Sequence, residues 1–214
     1  MLKGAIFDFD GTIVDSMFIW DNIGVDYLRS LGKEPRENLK KTFAAFTLEK
    51  AAQYYRNHYD VVLSVREIVD GVNKMIEEYY RTEVTLKKGV SDYLFWLREN
   101  DVKMCIATVT DRHLAEKTLY RLGISSCFSE IFTCDEVGQG KDEPAIYRKA
   151  LEFLGTNKEE TCIFEDSLFA VKTAKEDNFT VAAVFDEYEK EQDKLMYLAD
   201  YYIRDYYDPV LKTI

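Results

Sequence analysis

The chain has 214 residues, of which 47% are hydrophobic and only three are proline, a composition typical of a packed globular protein rather than a disordered one. Asp and Glu outnumber Lys and Arg by 39 to 28, and the resulting net charge of −11 argues against nucleic acid as a partner. No apolar run approaches the roughly 20 residues that cross a bilayer, and the N-terminus lacks a signal-peptide pattern. We therefore expect a cytoplasmic protein without a membrane partner.

The residue pattern of the first part of the chain predicts one strand followed by a long helical segment. Residues 3–9 are predicted to form a short buried strand, and Asp10-Gly11-Thr12 is a turn signal. From residue 17 to about 83 the apolar residues follow helical periodicity almost throughout, with a break at Leu31-Gly32. We predict that residues 17–83 are a helical domain inserted between the first strand and the rest of the chain.

After residue 83 strands and helices alternate. The predicted strands are 102–107, 130–134, 161–164 and 181–185, with a further short edge strand at 201–203. Helical patterns lie between them, for example from Pro144 to Leu154. Repeated alternation predicts an α/β fold, a doubly wound parallel sheet covered by helices on both faces. This core domain would comprise residues 1–16 and 84–214.

Polar residues occur where successive predicted strands end. They are Asp8 and Asp10 after the first strand, Thr108 after the second, Lys141 in the loop beyond the third, and Glu165 and Asp166 after the fourth. Any one of them could instead shape a turn or begin a helix. Because the carboxyl ends of parallel strands line one crevice, we expect these side chains to converge and form a site.

This set of side chains favours a particular chemistry. Crowded carboxylates repel one another unless a cation lies among them. Oxygen ligands without a nearby histidine favour Mg²⁺ over Zn²⁺, and Mg²⁺ commonly bridges to a phosphate oxygen. Together with Lys141 and the Thr108 hydroxyl, the metal would surround a tetrahedral anion, for which a phosphoryl group is the expected identity.

The motif Asp8-Phe9-Asp10-Gly11-Thr12 resembles the first motif of the haloacid dehalogenase-like superfamily. Thr108, Lys141 and Glu165-Asp166 stand where the second, third and fourth motifs of that superfamily should be. The resemblance covers the whole predicted core. It implies a Rossmann-like α/β core, and it implies that residues 17–83 are the α-helical cap domain that closes over the site and selects the leaving group.

The resemblance also implies roles for the motif residues. Asp8 would be the nucleophile that forms an aspartyl-phosphate, and Asp10 the general acid and base. Thr108 and Lys141 would hold the phosphoryl oxygens. Mg²⁺ would be held by the Asp8 carboxylate, the Asp10 backbone carbonyl, Asp166 and Glu165. Two further residues are candidate substrate contacts: Val109, and Trp20, which either packs within the cap or faces the substrate.

These roles predict a Mg²⁺-dependent phosphatase that acts on a small phosphorylated metabolite, such as a sugar phosphate. Asp10 favours phosphate esters, since family members that cleave carbon–halogen bonds lack an acid at this position. A β-phosphoglucomutase-like phosphomutase is the alternative, although Trp20 stands where the mutase carries a cap histidine. A noncatalytic binding module of the same fold is a second alternative, against which the intact Asp8, Asp10, Lys141 and Asp166 argue.

The remaining polar residues have structural interpretations. We expect His58 and His113 to be surface or helix residues, because neither has a partner at metal-ligand spacing. The acidic run 186–193 is predicted to be a solvated segment. Ser16 is expected to act as a hinge rather than a nucleophile. The four cysteines lack CxxC spacing and are expected to be reduced packing residues.

Overall fold

The computed structural model describes residues 2–43 and 46–214. The chain divides into two compact units, one comprising Met1–Ser16 with Val84–Ile214 and the other comprising Met17–Glu83. In chain order the strands are β1 (Gly4–Phe7), β2 (Val14–Asp15), β3 (Thr85–Leu86), β4 (Lys103–Thr108), β5 (Ile131–Thr133), β6 (Thr161–Glu165), β7 (Thr180–Val184) and β8 (Tyr201–Ile203). The α-helices are α1 (Met17–Ser30), α2 (Leu39–Phe43), α3 (Leu48–His58), α4 (Val65–Thr82), α5 (Val90–Glu99), α6 (Arg112–Arg121), α7 (Cys134–Val137), α8 (Ala145–Leu154), α9 (Leu168–Glu176) and α10 (Gln192–Leu198).

The first unit is built on a six-stranded parallel sheet in the order β5-β4-β1-β6-β7-β8. Strand β1 lies between β4 and β6, with Gly4 opposite Lys103 on one side and Thr161 on the other. The prediction of a doubly wound parallel sheet flanked by helices is therefore confirmed. The alternating pattern also placed the core strands to within one or two residues.

Both faces of the sheet are covered, which explains why β1 is fully buried and has no alternating polar residues. On one face, side chains of α8 and α9 such as Ile146 and Val171 pack against Ile6 and Ile163. On the other face Phe7 stacks on Phe164 with ring centroids 4.4 Å apart. Tyr93 and Tyr206 extend this aromatic layer beside Phe164. Burial of this apolar surface is the main contribution to the stability of the unit.

A second, two-stranded antiparallel sheet joins β2 and β3, with Val14 opposite Leu86 and Asp15 opposite Thr85. It forms where the chain leaves the first unit and where it returns. The sequence analysis did not predict this ribbon. Two residues are too few to show the alternation by which a strand is recognised, so the pairing follows from the tertiary arrangement.

The second unit is helical, and within residues 17–43 and 46–83 the structure contains no strand. Helix α4 begins with a capping box, in which Ser64 accepts from the Glu67 N–H and Glu67 accepts from the Ser64 N–H. Its apolar face, including Ile68 and Ile76, is buried. Gly71 lies against the ring of Tyr27 on α1, where a Cβ atom would collide. The absence of a side chain at Gly71 thus lets α1 and α4 approach closely.

None of the helices in the described part of the chain has both the length and the apolar character needed to span a bilayer. The four cysteines are free and buried, as expected for packing residues. One prediction is wrong: Asp186, assigned to a solvated acidic run, is only 2% exposed. It is buried because Lys87 donates to it at 2.7 Å, an ion pair between residues that are remote in the sequence.

Candidate active site

The strand ends bring the predicted motif residues of the first unit together. Asp8 directly follows β1, and its N–H donates to the carbonyl of Phe164 at 2.9 Å, so the β1 main chain continues along β6. Glu165 is the last residue of β6 and Asp166 follows it. All three acids are buried. The expected convergence at the carboxyl edge of the sheet therefore occurs for these residues.

The three carboxylates of Asp8, Glu165 and Asp166 offer oxygen atoms that lie within 4.8 Å of one another. Burial raises the pKa of Asp8 to about 7, with further increases from Glu165 and Asp10 that Lys141 opposes. Burial also raises the pKa of Asp166 well above its ordinary value, assisted by the charges of Glu165 and Asp8. A hard cation among these oxygens would relieve the repulsion, so the donor set fits Mg²⁺.

Lys141 lies in the loop between α7 and α8 and is 3% exposed. Its ammonium group donates to the Asp8 carboxylate and, at 2.5 Å, to Glu165. Burial lowers the pKa of Lys141, but the two carboxylates more than offset this and raise the pKa above its ordinary value. Lys141 therefore supplies a fixed positive charge directly beside Asp8.

Glu165 is held by a dense set of donors. One carboxylate oxygen accepts from Lys141 and from the hydroxyl of Tyr147 at 3.1 Å. The other accepts from the backbone N–H of Asp166 at 3.0 Å and from the N–H and hydroxyl of Ser167. Asp166 in turn accepts from the hydroxyl of Thr12 at 2.9 Å. These contacts fix both acids at the end of β6.

The Asp10 carboxylate accepts hydrogen bonds from two buried hydroxyl groups. Ser16 donates to Oδ1 at 2.6 Å and Thr110 donates to Oδ2. The bond from Thr110 to Asp10 connects the segments that follow β4 and β1, and the N–H of Thr110 also donates to the hydroxyl of Thr108 at 3.0 Å. Ser16 therefore contacts the predicted acid and base directly, while its expected role as a hinge stays a prediction.

The contact residues that the sequence analysis missed include Thr12, Thr110 and Tyr147. Thr12 lies within the first motif, and Thr110 comes two positions after Thr108, so proximity in sequence was an available signal for both. Tyr147 comes six positions after Lys141 in the sequence. Its contact with Glu165 depends on how α8 packs against the sheet, which local sequence does not reveal.

Val109 and Trp20, the two further candidate substrate contacts, lie in different units of the chain. Val109 follows Thr108 at the end of β4 and is 62% exposed. Trp20 belongs to α1 of the second unit and is 45% exposed. The proposed contact of either residue with substrate stays a prediction. His58 and His113 are exposed residues of helices α3 and α6, in agreement with the expectation for them.

A doubly wound sheet with buried carboxylates and a lysine at its carboxyl edge defines an α/β protein with a candidate active site at the ends of its strands. The chain belongs to the haloacid dehalogenase-like hydrolase family, whose model matches residues 5–184. The predicted family is thereby confirmed, and with it the prediction of an enzyme of the hydrolase class.

Known proteins similar to this chain include two phosphatases. The phosphorylated carbohydrates phosphatase of Thermotoga maritima is 25% identical over 174 residues, which are 81% of each chain. Hexitol phosphatase B of Escherichia coli K12 is 25% identical over 93% of this chain and 90% of its own. Among solved structures, a candidate β-phosphoglucomutase from Thermotoga maritima superposes with a TM-score of 0.83 at 23% identity and covers 94% of both chains. This last likeness establishes the fold.

Proposed function

We propose that the chain is a Mg²⁺-dependent phosphatase that hydrolyses a small phosphorylated metabolite, a sugar phosphate or similar ester, through an aspartyl-phosphate on Asp8. One observation carries the proposal: the Asp8 carboxylate is paired with Lys141 and lies within 4.8 Å of oxygen atoms of Glu165 and Asp166. This arrangement combines a nucleophile, a fixed cation and an oxygen-rich metal site.

The metal would be held by the carboxylates of Asp8, Asp166 and Glu165 and by the backbone carbonyl of Asp10. When bound, Mg²⁺ supplies positive charge that offsets the carboxylates and polarises the phosphoryl group. The buried ammonium of Lys141 reduces the repulsion between the Asp8 carboxylate and an anionic ester. Thr108 and Lys141 position the phosphoryl oxygens for in-line attack.

In the first step an Asp8 carboxylate oxygen bonds to phosphorus while the ester P–O bond breaks. Asp10 gives its proton to the departing alkoxide, which leaves as an alcohol. In the second step Asp10 takes a proton from water, whose oxygen bonds to phosphorus as the acyl-phosphate bond breaks. Inorganic phosphate leaves, and the Asp8 carboxylate is regenerated. The hydroxyls of Ser16 and Thr110 donate to the Asp10 carboxylate and keep it in position for both proton transfers.

The activities for which the relatives are named support this substrate class, since one is a phosphatase of phosphorylated carbohydrates and another a hexitol phosphatase. We further propose that residues 17–83 are the cap that selects the leaving group, with Trp20 and Val109 as candidate contacts. A cytoplasmic location is part of the proposal. The four free thiols suit the reducing conditions of that compartment.

The test is phosphate release from a panel of sugar and alditol monophosphates, with Mg²⁺ and with excess EDTA. We expect activity with Mg²⁺ that EDTA removes and that Asp8→Asn abolishes. Asp193→Asn, which changes an exposed acid on α10, is the matched control and should leave turnover unchanged. Equal phosphate release by Asp8→Asn and the unmodified chain would overturn the mechanism. In a separate incubation with Mg²⁺ and a bisphosphate primer, isomerisation of β-glucose 1-phosphate to glucose 6-phosphate without phosphate release would instead establish the mutase.

A further inference from the structure

A buried ion pair lies outside the motif residues. Asp186 comes two residues after β7 and is 2% exposed, while Lys87 directly follows β3 and its side chain is 14% exposed. The Lys87 ammonium donates at 2.7 Å to the Asp186 carboxylate and at 2.7 Å to the carbonyl of Phe185. Asp186 also accepts from the N–H of Tyr188 at 2.9 Å. Desolvation makes such a pair a poor source of net stability, so its position calls for another explanation.

The pair lies at the same sheet edge as the acids of the site. Strand β7 is the neighbour of β6, with Ala183 opposite Glu165, so Asp186 leaves the sheet one strand away from Asp166.

The main chain of Lys87 is also bonded to the loop that follows Asp10. Its N–H donates at 2.9 Å to the carbonyl of Ile13. Ile13 follows Thr12, whose hydroxyl donates to Asp166. The positive and negative members of the pair are therefore both fixed beside the loops that carry the predicted metal ligands, without being ligands themselves.

We propose that the Lys87–Asp186 pair sets the cation affinity of the Asp8, Glu165 and Asp166 cluster by placing two opposing, buried charges beside it. Asp186 attracts a divalent cation to the cluster, and Lys87 offsets that attraction. The inference rests on the metal site of the proposed function. It assigns an electrostatic role to two residues outside the four motifs.

The test is Mg²⁺ binding to the metal-free chain of 214 residues, measured by titration calorimetry. Lys87→Gln leaves the Asp186 charge uncompensated and should tighten binding, whereas Asp186→Asn leaves the ammonium uncompensated and should weaken it. We expect each change in Kd to be roughly three- to tenfold, because buried charges are screened less than exposed ones. The double variant Lys87→Gln/Asp186→Asn should return close to the Kd of the unmodified chain.

Two controls isolate the buried charge. Lys88→Gln changes the net charge equally but at a side chain that is 71% exposed and paired with Asp205, so Kd should hardly move. Lys87→Arg keeps the charge and should bind Mg²⁺ like the unmodified chain. Circular dichroism and thermal unfolding of each variant establish that it is folded. Should Lys87→Gln fail to fold, the double variant decides: a Kd that is weakened in Asp186→Asn and restored in Lys87→Gln/Asp186→Asn supports the proposal, and a Kd that stays weakened in the double variant overturns it.

The outcomes separate this inference from the proposed function. Weaker binding in both single variants indicates a merely structural pair and overturns the inference, as does an unchanged Kd in both. Either result leaves the metal site intact provided that Asp8→Asn loses Mg²⁺ binding. If the unmodified chain binds no Mg²⁺, or if Asp8→Asn binds it equally well, the proposed metal site falls and the inference falls with it.

Discussion

The hydroxyl of Ser16 donates to the Asp10 carboxylate at 2.6 Å, so the last residue of the first unit before the helical segment is bonded to the proposed general acid. Ser16 is fully buried, and Thr110 donates to the other oxygen of the same carboxylate. Asp10 is thus held from two different segments of the chain.

Ser16→Ala should lower kcat by roughly tenfold, which corresponds to about 1.4 kcal/mol and is the scale of one hydrogen bond to a charged group. The loss follows because Asp10 gains rotational freedom, while KM changes little since substrate binding does not use this hydroxyl. Steady-state kinetics on one alkyl phosphate measures kcat and KM separately and tests whether only kcat falls. Ser16→Thr keeps the hydroxyl and should retain most of the activity. An equal loss in both variants would speak against the hydrogen bond as the cause.

Asp10→Asn should lower kcat/KM for alkyl phosphates by roughly 100-fold or more, because the alkoxide then leaves without a proton. For p-nitrophenyl phosphate the loss should be much smaller, since nitrophenolate leaves readily without protonation. The measurement is the ratio of the two losses, with the unmodified chain as reference. If both substrates lose activity equally, the acid role of Asp10 in the first step is contradicted.

Tyr147→Phe removes the hydroxyl that donates to Glu165 at 3.1 Å in a fully buried environment. Leaving that acceptor without one of its donors should reduce the free energy of unfolding by about 1–2 kcal/mol. Thermal unfolding measures the change. Tyr207→Phe is the matched control, because it removes a hydroxyl that donates to Asp92 on the exposed surface. If the free energy of unfolding falls equally in Tyr147→Phe and Tyr207→Phe, the buried hydrogen bond to Glu165 has no special contribution to stability.

The stability of the metal-free chain should fall as the pH rises from about 4 to about 7. Burial raises the pKa of Asp8 from 3.8 to about 7 in the folded chain, so the folded state binds more protons than the unfolded state within this window. The free energy of unfolding then decreases by up to about 1.4 kcal/mol per pH unit for such a group. Urea unfolding at several pH values with EDTA measures the slope.

Asp8→Asn removes this titration, and the slope between pH 4 and pH 7 should become smaller. Saturating Mg²⁺ should have the same effect on the unmodified chain, because a bound cation favours the ionised carboxylate and stabilises the folded state by mass action. A slope that is steeper in Asp8→Asn than in the unmodified chain would contradict the assignment.

The sheet and the convergence of most of the candidate site residues could be predicted because both depend on local patterns. The strands around Ile6, Ile106 and Ile163 are apolar runs, and Asp8, Thr108 and Asp166 stand at or just after their ends. The contacts of Tyr147 and Thr110 could not be predicted, since they depend on the path of loops and on helix packing. Asp186 was wrongly assigned to solvent because its partner Lys87 is 99 positions away in the sequence. Charge patterning along the chain does not reveal such a pair.

The antiparallel ribbon of Val14–Asp15 and Thr85–Leu86 brings the two ends of the helical segment to neighbouring positions. A segment whose ends emerge side by side can be lengthened, shortened or exchanged without altering the register of the six-stranded sheet. The ribbon is therefore a suitable place at which to exchange the helical segment. Chimaeras that exchange residues 17–83 between relatives at this point should keep the reaction chemistry of the recipient and acquire the leaving-group preference of the donor.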